Sequence, residues 1–283
     1  MRLISLSAVL PVALLALSAC KSDYDVIPEP EHETIPLDTA APAAGPVAVC
    51  SVDNDRVRPI HENTVFRGNE SYDADGLEIV GWEWRLVESP SGSVAQIGAG
   101  VGAAGAALSD RTFTADMAGT YVAELTVMNE QFVMSEPCTV AIDAIPDGDL
   151  WVEMYWDATG EDMDLHLLRE NAGYVSAGDC YYANCVGGLE WDQPGSADNP
   201  SLDLDDIPGM GPENINMSMP SSDYYTVVVH DYPGSSRTAA TNVTVKVFLG
   251  GALMFEDTRS ISGEDSYNHF ARIDWLTQTV TPL

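Results

Sequence analysis

The chain has 283 residues, 45 % of them hydrophobic, with 12 Lys+Arg against 44 Asp+Glu and a formal net charge of −32. That length suits about two domains of ~150 residues each. The charge argues against a nucleic-acid partner, because phosphate contacts need clustered Lys and Arg, and against a basic arm lying on an anionic membrane.

In chain order, the first element is a leader. Arg2 precedes an apolar run from Leu3 to Leu17. The run is shorter than the ~20 residues of a comfortable membrane span and fits a secretory h-region. Leu17-Ser18-Ala19-Cys20 resembles a bacterial lipobox. The resemblance implies a signal peptide over 1–19 and a diacylglycerol on the Cys20 thiol, which anchors the chain to a membrane. Lys21, rather than Asp, after that Cys points to the outer membrane or cell surface. Residues 20–45 read as a linker. From Lys21 to Gly45 they hold four prolines and six acids without apolar periodicity. Proline and charge repulsion make such a segment extended and disordered.

From residue 46 to 146 the pattern is that of a β-sandwich. Tyr121, Ala123, Leu125 and Val127 alternate with polar residues, and Trp82 and Trp84 share one face of Ile79–Leu86. Turns are signalled at Asp73-Ala-Asp-Gly76 and Ser89-Pro-Ser-Gly92. Gly68, Ser71, Asp73, Asp75, Gly76, Trp84, Gly119, Tyr121, Leu125 and Val127 together resemble a PKD domain, an Ig-like sandwich of extracellular proteins. Two departures stand out: Ala74 where that family often has Pro, and Trp84–Gly92 in place of its shorter W-x-F-G-D-G turn. The resemblance implies a spacer or adhesive module without catalysis. Gly100-Val-Gly102-Ala-Ala-Gly105 matches G-x-G-x-x-G, but a strand signal at Phe113 follows too soon for a βαβ unit. A small-residue loop is expected there.

Pro146-Asp-Gly148 marks a domain boundary, and residues 147–283 read as a second sandwich. Strands are expected at Leu150–Trp156, Asp162–Leu168, Tyr224–His230, Asn242–Leu249 and Phe270–Trp275. Asp162-x-Asp164-Leu165-x-Leu167, Leu202-Asp-x-Asp205-Asp206, Gly209-x-Gly-Pro-Glu213-Asn-Ile215 and Tyr225-x-Val-x-Val229-His230 resemble the YfaP-like domain of secreted bacterial proteins. That resemblance implies architecture and no established activity. The fold class is therefore all-β, two tandem sandwiches after a tether.

Setting Cys20 aside, the cysteines divide as Cys50 with Cys138 and Cys180 with Cys185, one pair per domain. An even split in an exported chain reads as two disulfides. Thiolate zinc ligation is the rival, but C-x₄-C lacks a second pair or a nearby His.

Residues 147–283 hold five basic and 23 acidic residues, a net −18. Strand alternation puts Asp162, Asp164 and His166 on one face, with Met163, Leu165 and Leu167 toward the core. Asp203, Asp205 and Asp206 form a second cluster, flanked by Asp198 and Glu213. Crowded carboxylates repel unless a cation joins them, and calcium takes six to eight oxygen ligands. Two readings stand. One is a structural calcium site built from Asp162, Asp164, Asp203, Asp205 and Asp206, with Asp198 and Glu213 as further donors. The other is a solvated acidic surface. Asp73-Ala-Asp75-Gly76 lacks the Glu that closes an EF-hand loop and reads first as a turn.

No nucleophile elbow, zincin motif or P-loop is present. His166 and His230 sit in strand patterns and read as structural histidines. Tyr181 and Tyr182 inside the small Cys loop, and Trp191 after it, have two readings: aromatics able to stack on a sugar ring or anchor a protein, or aromatics that cover the end of the sandwich. The function expected is non-catalytic: a lipid-anchored envelope protein for adhesion or for carbohydrate or protein binding. Its rivals are a purely structural envelope lipoprotein and a hydrolase accessory module.

Overall fold

In the first sandwich, short strands are set by alternation and cut by turns: β1 (Pro46–Val47), β2 (Ser51–Val52), β3 (Arg56–Val57), β4 (Asn63–Arg67), β5 (Tyr72–Asp73), β6 (Ile79–Glu88), β7 (Arg111–Thr114), β8 (Gly119–Asn129) and β9 (Cys138–Ala144). The computed structural model describes residues 44–100, 108–191, 195, 197–207, 209–235 and 239–283. The leader, Cys20, the linker up to residue 43 and nearly all of the Gly100–Gly105 motif lie outside those residues. Sheets β2-β4-β7 and β3-β9-β8-β6 face each other, with β1-β5 as a small third sheet. Tyr121, Ala123, Leu125 and Val127 of β8 are all buried, as alternation requires. Phe66, Phe113 and Tyr121 form the aromatic centre of this core, and Trp84 packs onto Phe66.

The second sandwich comprises β10 (Leu150–Trp156), β11 (Met163–Arg169), β12 (Asp179–Cys180), α1 (Tyr182–Cys185), β13 (Ser201–Leu204), β14 (Glu213–Met217), β15 (Tyr224–Asp231), β16 (Thr241–Leu249), β17 (Ala252–Ile261), β18 (Ser266–Asp274) and β19 (Thr279–Pro282). Its two five-stranded sheets run β13-β14-β10-β16-β17 and β12-β11-β15-β18-β19. Met163, Leu165 and Leu167 of β11 enter the core with Val152, Met154, Val245, Val247, Tyr225 and Val227. The protein is all-β, two packed sandwiches that are antiparallel except for the parallel β3–β9 pair, with a single helical turn among the described residues.

Both cysteine pairs are bonded: Cys50–Cys138 with a Cα–Cα distance of 5.9 Å, and Cys180–Cys185 with 5.1 Å. Disulfides mark a chain that folds in an oxidising compartment. The small ring does not close a hairpin. It closes the one turn of α1, where the Asn184 side chain caps the Tyr181 amide.

Residues Pro42–Leu283 form one compact unit, so the sandwiches share a joint. Trp151 is wholly buried there with Ala118 and Phe248, and Ile60 packs against them. Glu153 Oε1 accepts the Ala118 amide at 2.6 Å and the Trp151 indole N–H at 2.9 Å. Arg58 pairs with Asp147 at 2.6 Å, and His61 with Asp203 at 2.7 Å. A Cβ on Gly92 would strike the Tyr155 ring, so that contact depends on glycine.

Candidate metal centre

The outward face of β11 is as buried as its core face. On that face the chain has placed Asp164 and His166, two residues that seldom go under cover unpaired. The adjacent strand β15 sets His230 directly opposite Asp164, and β12 brings Asp179 alongside. From the other sheet, Glu213 at the start of β14 reaches across, and its Oε2 accepts the Leu165 amide at 2.7 Å.

Backbone turns deliver the remaining acids. Asp206 Oδ2 accepts the Gly211 amide at 2.8 Å. A Cβ at Gly209 would overlap the Asp206 carboxylate, so the Gly-x-Gly-Pro run allows the loop to close over it. Gly211 has φ +80°, a left-handed conformation that favours glycine. This loop leads into Glu213 and brings Asp205 up to Asp164. Ligand atoms of Asp164, Asp205 and Glu213 lie within 4.8 Å of one another.

Electrostatics register the crowding. Burial, then Asp162 and Asp205, push Asp164 up to about 8. Burial, then Asp205 and Asp206, raise Asp162; burial, then Asp206, raise Asp205. Glu213 is held well above the ordinary carboxylate range, chiefly by burial, although the Leu165 amide opposes this. Glu213 is 1 % exposed, and its Oε1 has no hydrogen-bonded partner. A buried carboxylate oxygen left unmatched costs ~1–3 kcal/mol. Oxygen donors at this density fit a hard cation such as calcium.

The sequence-level candidates thus divide. Asp162, Asp164, Asp205, Asp206 and Glu213 gather at one place. Asp203 does not join them. It sits at a register shift between Leu202 and Leu204, which turns its side chain elsewhere. There it accepts from Ser201 Oγ at 2.7 Å and from Asn216, and it meets His61 of the first sandwich. Asp198 lies in the turn preceding β13. In the first sandwich, Asp73 accepts the Asp75 amide and the Asn129 side chain, each at 2.8 Å, so its carboxylate holds the turn.

The aromatic candidates also move. Tyr181 is buried, not exposed: its ring stacks on His166 at 5.1 Å. Tyr182 packs edge-on against Tyr181 and Tyr232. Trp191 lies apart from both, half-buried between Tyr225 and the Arg169 guanidinium. Sequence spacing grouped the three; in the structure Tyr181 and Tyr182 touch each other, and Trp191 packs against Tyr225 instead. Two residues escaped sequence reading as site members, Asp179 and Tyr267. Asp179 Oδ2 meets His166 Nδ1 at 2.8 Å, and Tyr267 stacks on His230 at 4.1 Å. Neither has a local signal, since each is defined by a partner on a neighbouring strand that is distant in the chain.

No protein-family model matches the chain, and no curated protein matches it. Among solved structures, it is similar to the solution structure of the PKD domain from the KIAA 1837 protein, at 22 % identity and TM-score 0.25. That match covers 35 % of this chain and 86 % of that one. It is also similar to a carbohydrate-binding module of the β-sandwich superfamily, described for promiscuous specificity, at 10 % identity and TM-score 0.29. Here 81 % of this chain and 84 % of that one are covered. At these scores the similarity carries no argument about a ligand, and the fold assignment rests on the strands described above. Among the described residues, no helix is long and apolar enough to cross a membrane.

Proposed function

We propose that this chain is a non-catalytic binding or adhesion module of the cell envelope, lipid-anchored through Cys20, whose second sandwich is organised by a calcium ion. Asp164, Asp205 and Glu213 hold the ion, with Asp162 and Asp206 beside them. The observation that carries the calcium assignment is the unpartnered Oε1 of Glu213, buried where two further carboxylates converge. Calcium neutralises the cluster and fixes the loop from Asp205 to Glu213 against β11. The binding surface then presented is for a carbohydrate or protein partner, with Tyr182 at its edge.

The test is thermal unfolding of the purified protein, disulfides intact, in chelator, in excess calcium, and in sodium chloride at matched ionic strength. Stabilisation by calcium alone supports the site. Equal stabilisation by both salts shows a screened acidic surface instead. Saturable binding on glycan or envelope-fraction arrays tests the module's role; its absence leaves a structural envelope protein.

A further inference from the structure

Beside the carboxylate cluster lies a second convergence of different chemistry. Ligand atoms of Asp164, His166 and His230 all fall within 4.8 Å of one another, and all three residues are buried. His166 is 1 % exposed. Its Nδ1 is taken by Asp179, which is itself fully buried and also accepts the Val175 amide at 2.8 Å. Its Nε2 has no partner. His230 turns Nδ1 toward Asp164 at a long 3.4 Å and is tied through Nε2 to Asp265 at 3.1 Å.

We propose that Asp164, His166 and His230 form a site for a divalent transition metal of the zinc class, distinct from the calcium site. Two imidazoles and one carboxylate are a donor set suited to zinc and its neighbours, whereas calcium prefers oxygen throughout. Each imidazole also has the outer support that metal-bound histidines receive: a carboxylate on the far nitrogen, Asp179 for His166 and Asp265 for His230. Aromatic rings hold both planes. Tyr181 lies over His166 with an interplanar angle of 6°, and Tyr267 over His230 with 10°. The histidines also border a cavity of about 210 Å³, lined in addition by Tyr181, Tyr182, Tyr232 and Tyr267. Three protein ligands beside a cavity leave coordination positions for water or for a donor atom of a bound molecule.

The proposal does not rest on the calcium assignment, since the two sites share only Asp164. The experiment is competition for zinc between the metal-stripped, tag-free protein and a colorimetric chelator, repeated on variants. One zinc per chain is expected. His166→Ala and His230→Ala each weaken it by tenfold or more, and Asp179→Asn weakens it by about 10–100-fold through loss of outer support. His61→Ala, at the joint between the sandwiches where it pairs with Asp203, leaves zinc binding in place. Because His166 is buried and its variant can misfold, the wild-type protein supplies an independent reading. In proton–nitrogen correlation spectra, zinc moves the ring-nitrogen resonances of His166 and His230 and leaves the other histidines unmoved. Absence of stoichiometric zinc, unchanged uptake by both histidine variants, or shifts confined to other histidines each overturns the proposal.

Discussion

The two sandwiches share an architecture and handle buried charge in opposite ways. In the first, each buried acid has donors. Asp110 takes Arg67 at 2.9 Å and the Gly68 amide at 3.0 Å, while Asp73 takes Asn129 and a backbone amide. In the second, Glu153, Asp179 and Glu213 are each about 1 % exposed or less and each keeps an oxygen unmatched. Among the described residues, the first sandwich leaves one such buried side-chain atom, Arg58 Nε, and an ion pair to Asp147 faces it. One domain is complete in its own side chains. The other keeps buried carboxylate oxygens without a hydrogen-bond donor among the described residues. Size and fold do not account for the contrast; the burial of acids on three separate strands, β10, β12 and β14, does.

The largest expected effect concerns the first sandwich alone. The Cys50–Cys138 bond spans 88 positions, and closing a loop of that length is worth about 4–5 kcal/mol in the chain-entropy model. Cys50→Ala with Cys138→Ala should lower stability by that order in denaturant unfolding. Removing the bond between Cys180 and Cys185, five positions apart, should cost less. If the small ring matters more, it supports the site rather than the unfolded-state entropy.

Next comes pH. Burial raises Glu153 to about 7, Asp164 to about 8 and Asp231 to about 6. A carboxyl raised in this way keeps a proton that the unfolded chain releases. Its contribution is therefore complete below the ordinary carboxylate range and is lost as pH rises through about 6 to 8. For Glu153 the loss is on the order of 3 kcal/mol. In the first sandwich the sign is reversed. A hydrogen bond from Asn129 lowers Asp73, and one from Arg67 lowers Asp53, so those contributions vanish as pH falls. Metal-free protein should thus lose stability as pH rises from the ordinary carboxylate range to about 8. A flat profile in chelator would remove the contrast between the domains.

Calcium at 100 times its dissociation constant should add ~2.7 kcal/mol. That corresponds to roughly 5–10 °C in melting temperature for a protein of this size. Asp205→Ala should abolish the shift. The smallest effect belongs to the joint: the His61–Asp203 pair is partly exposed, and His61→Ala should cost no more than about 1 kcal/mol in urea unfolding.

Much of this was legible in the sequence. Alternation located β8, β10, β11, β15 and β16 to within a residue or two, because each presents an unbroken apolar face. The same alternation put Asp162 and Asp164 together. Asp203 was misplaced because a bulge breaks the period that alternation assumes. For Tyr181 the covering reading holds and the exposed one does not, because the ring stacked on it, His166, is on another strand. Glu153 gave no signal, since the partner that buries it belongs to the other domain.

That last contact has a consequence for recognition. Trp151 and Glu153 lock the sandwiches at their junction, with an indole, an amide and a carboxylate in one hydrogen-bonded group. A molecule that touches both domains meets surfaces already held in register. No hinge has to be frozen when it binds, so the orientational entropy that a flexible pair would lose is spared. The joint makes the two modules one template.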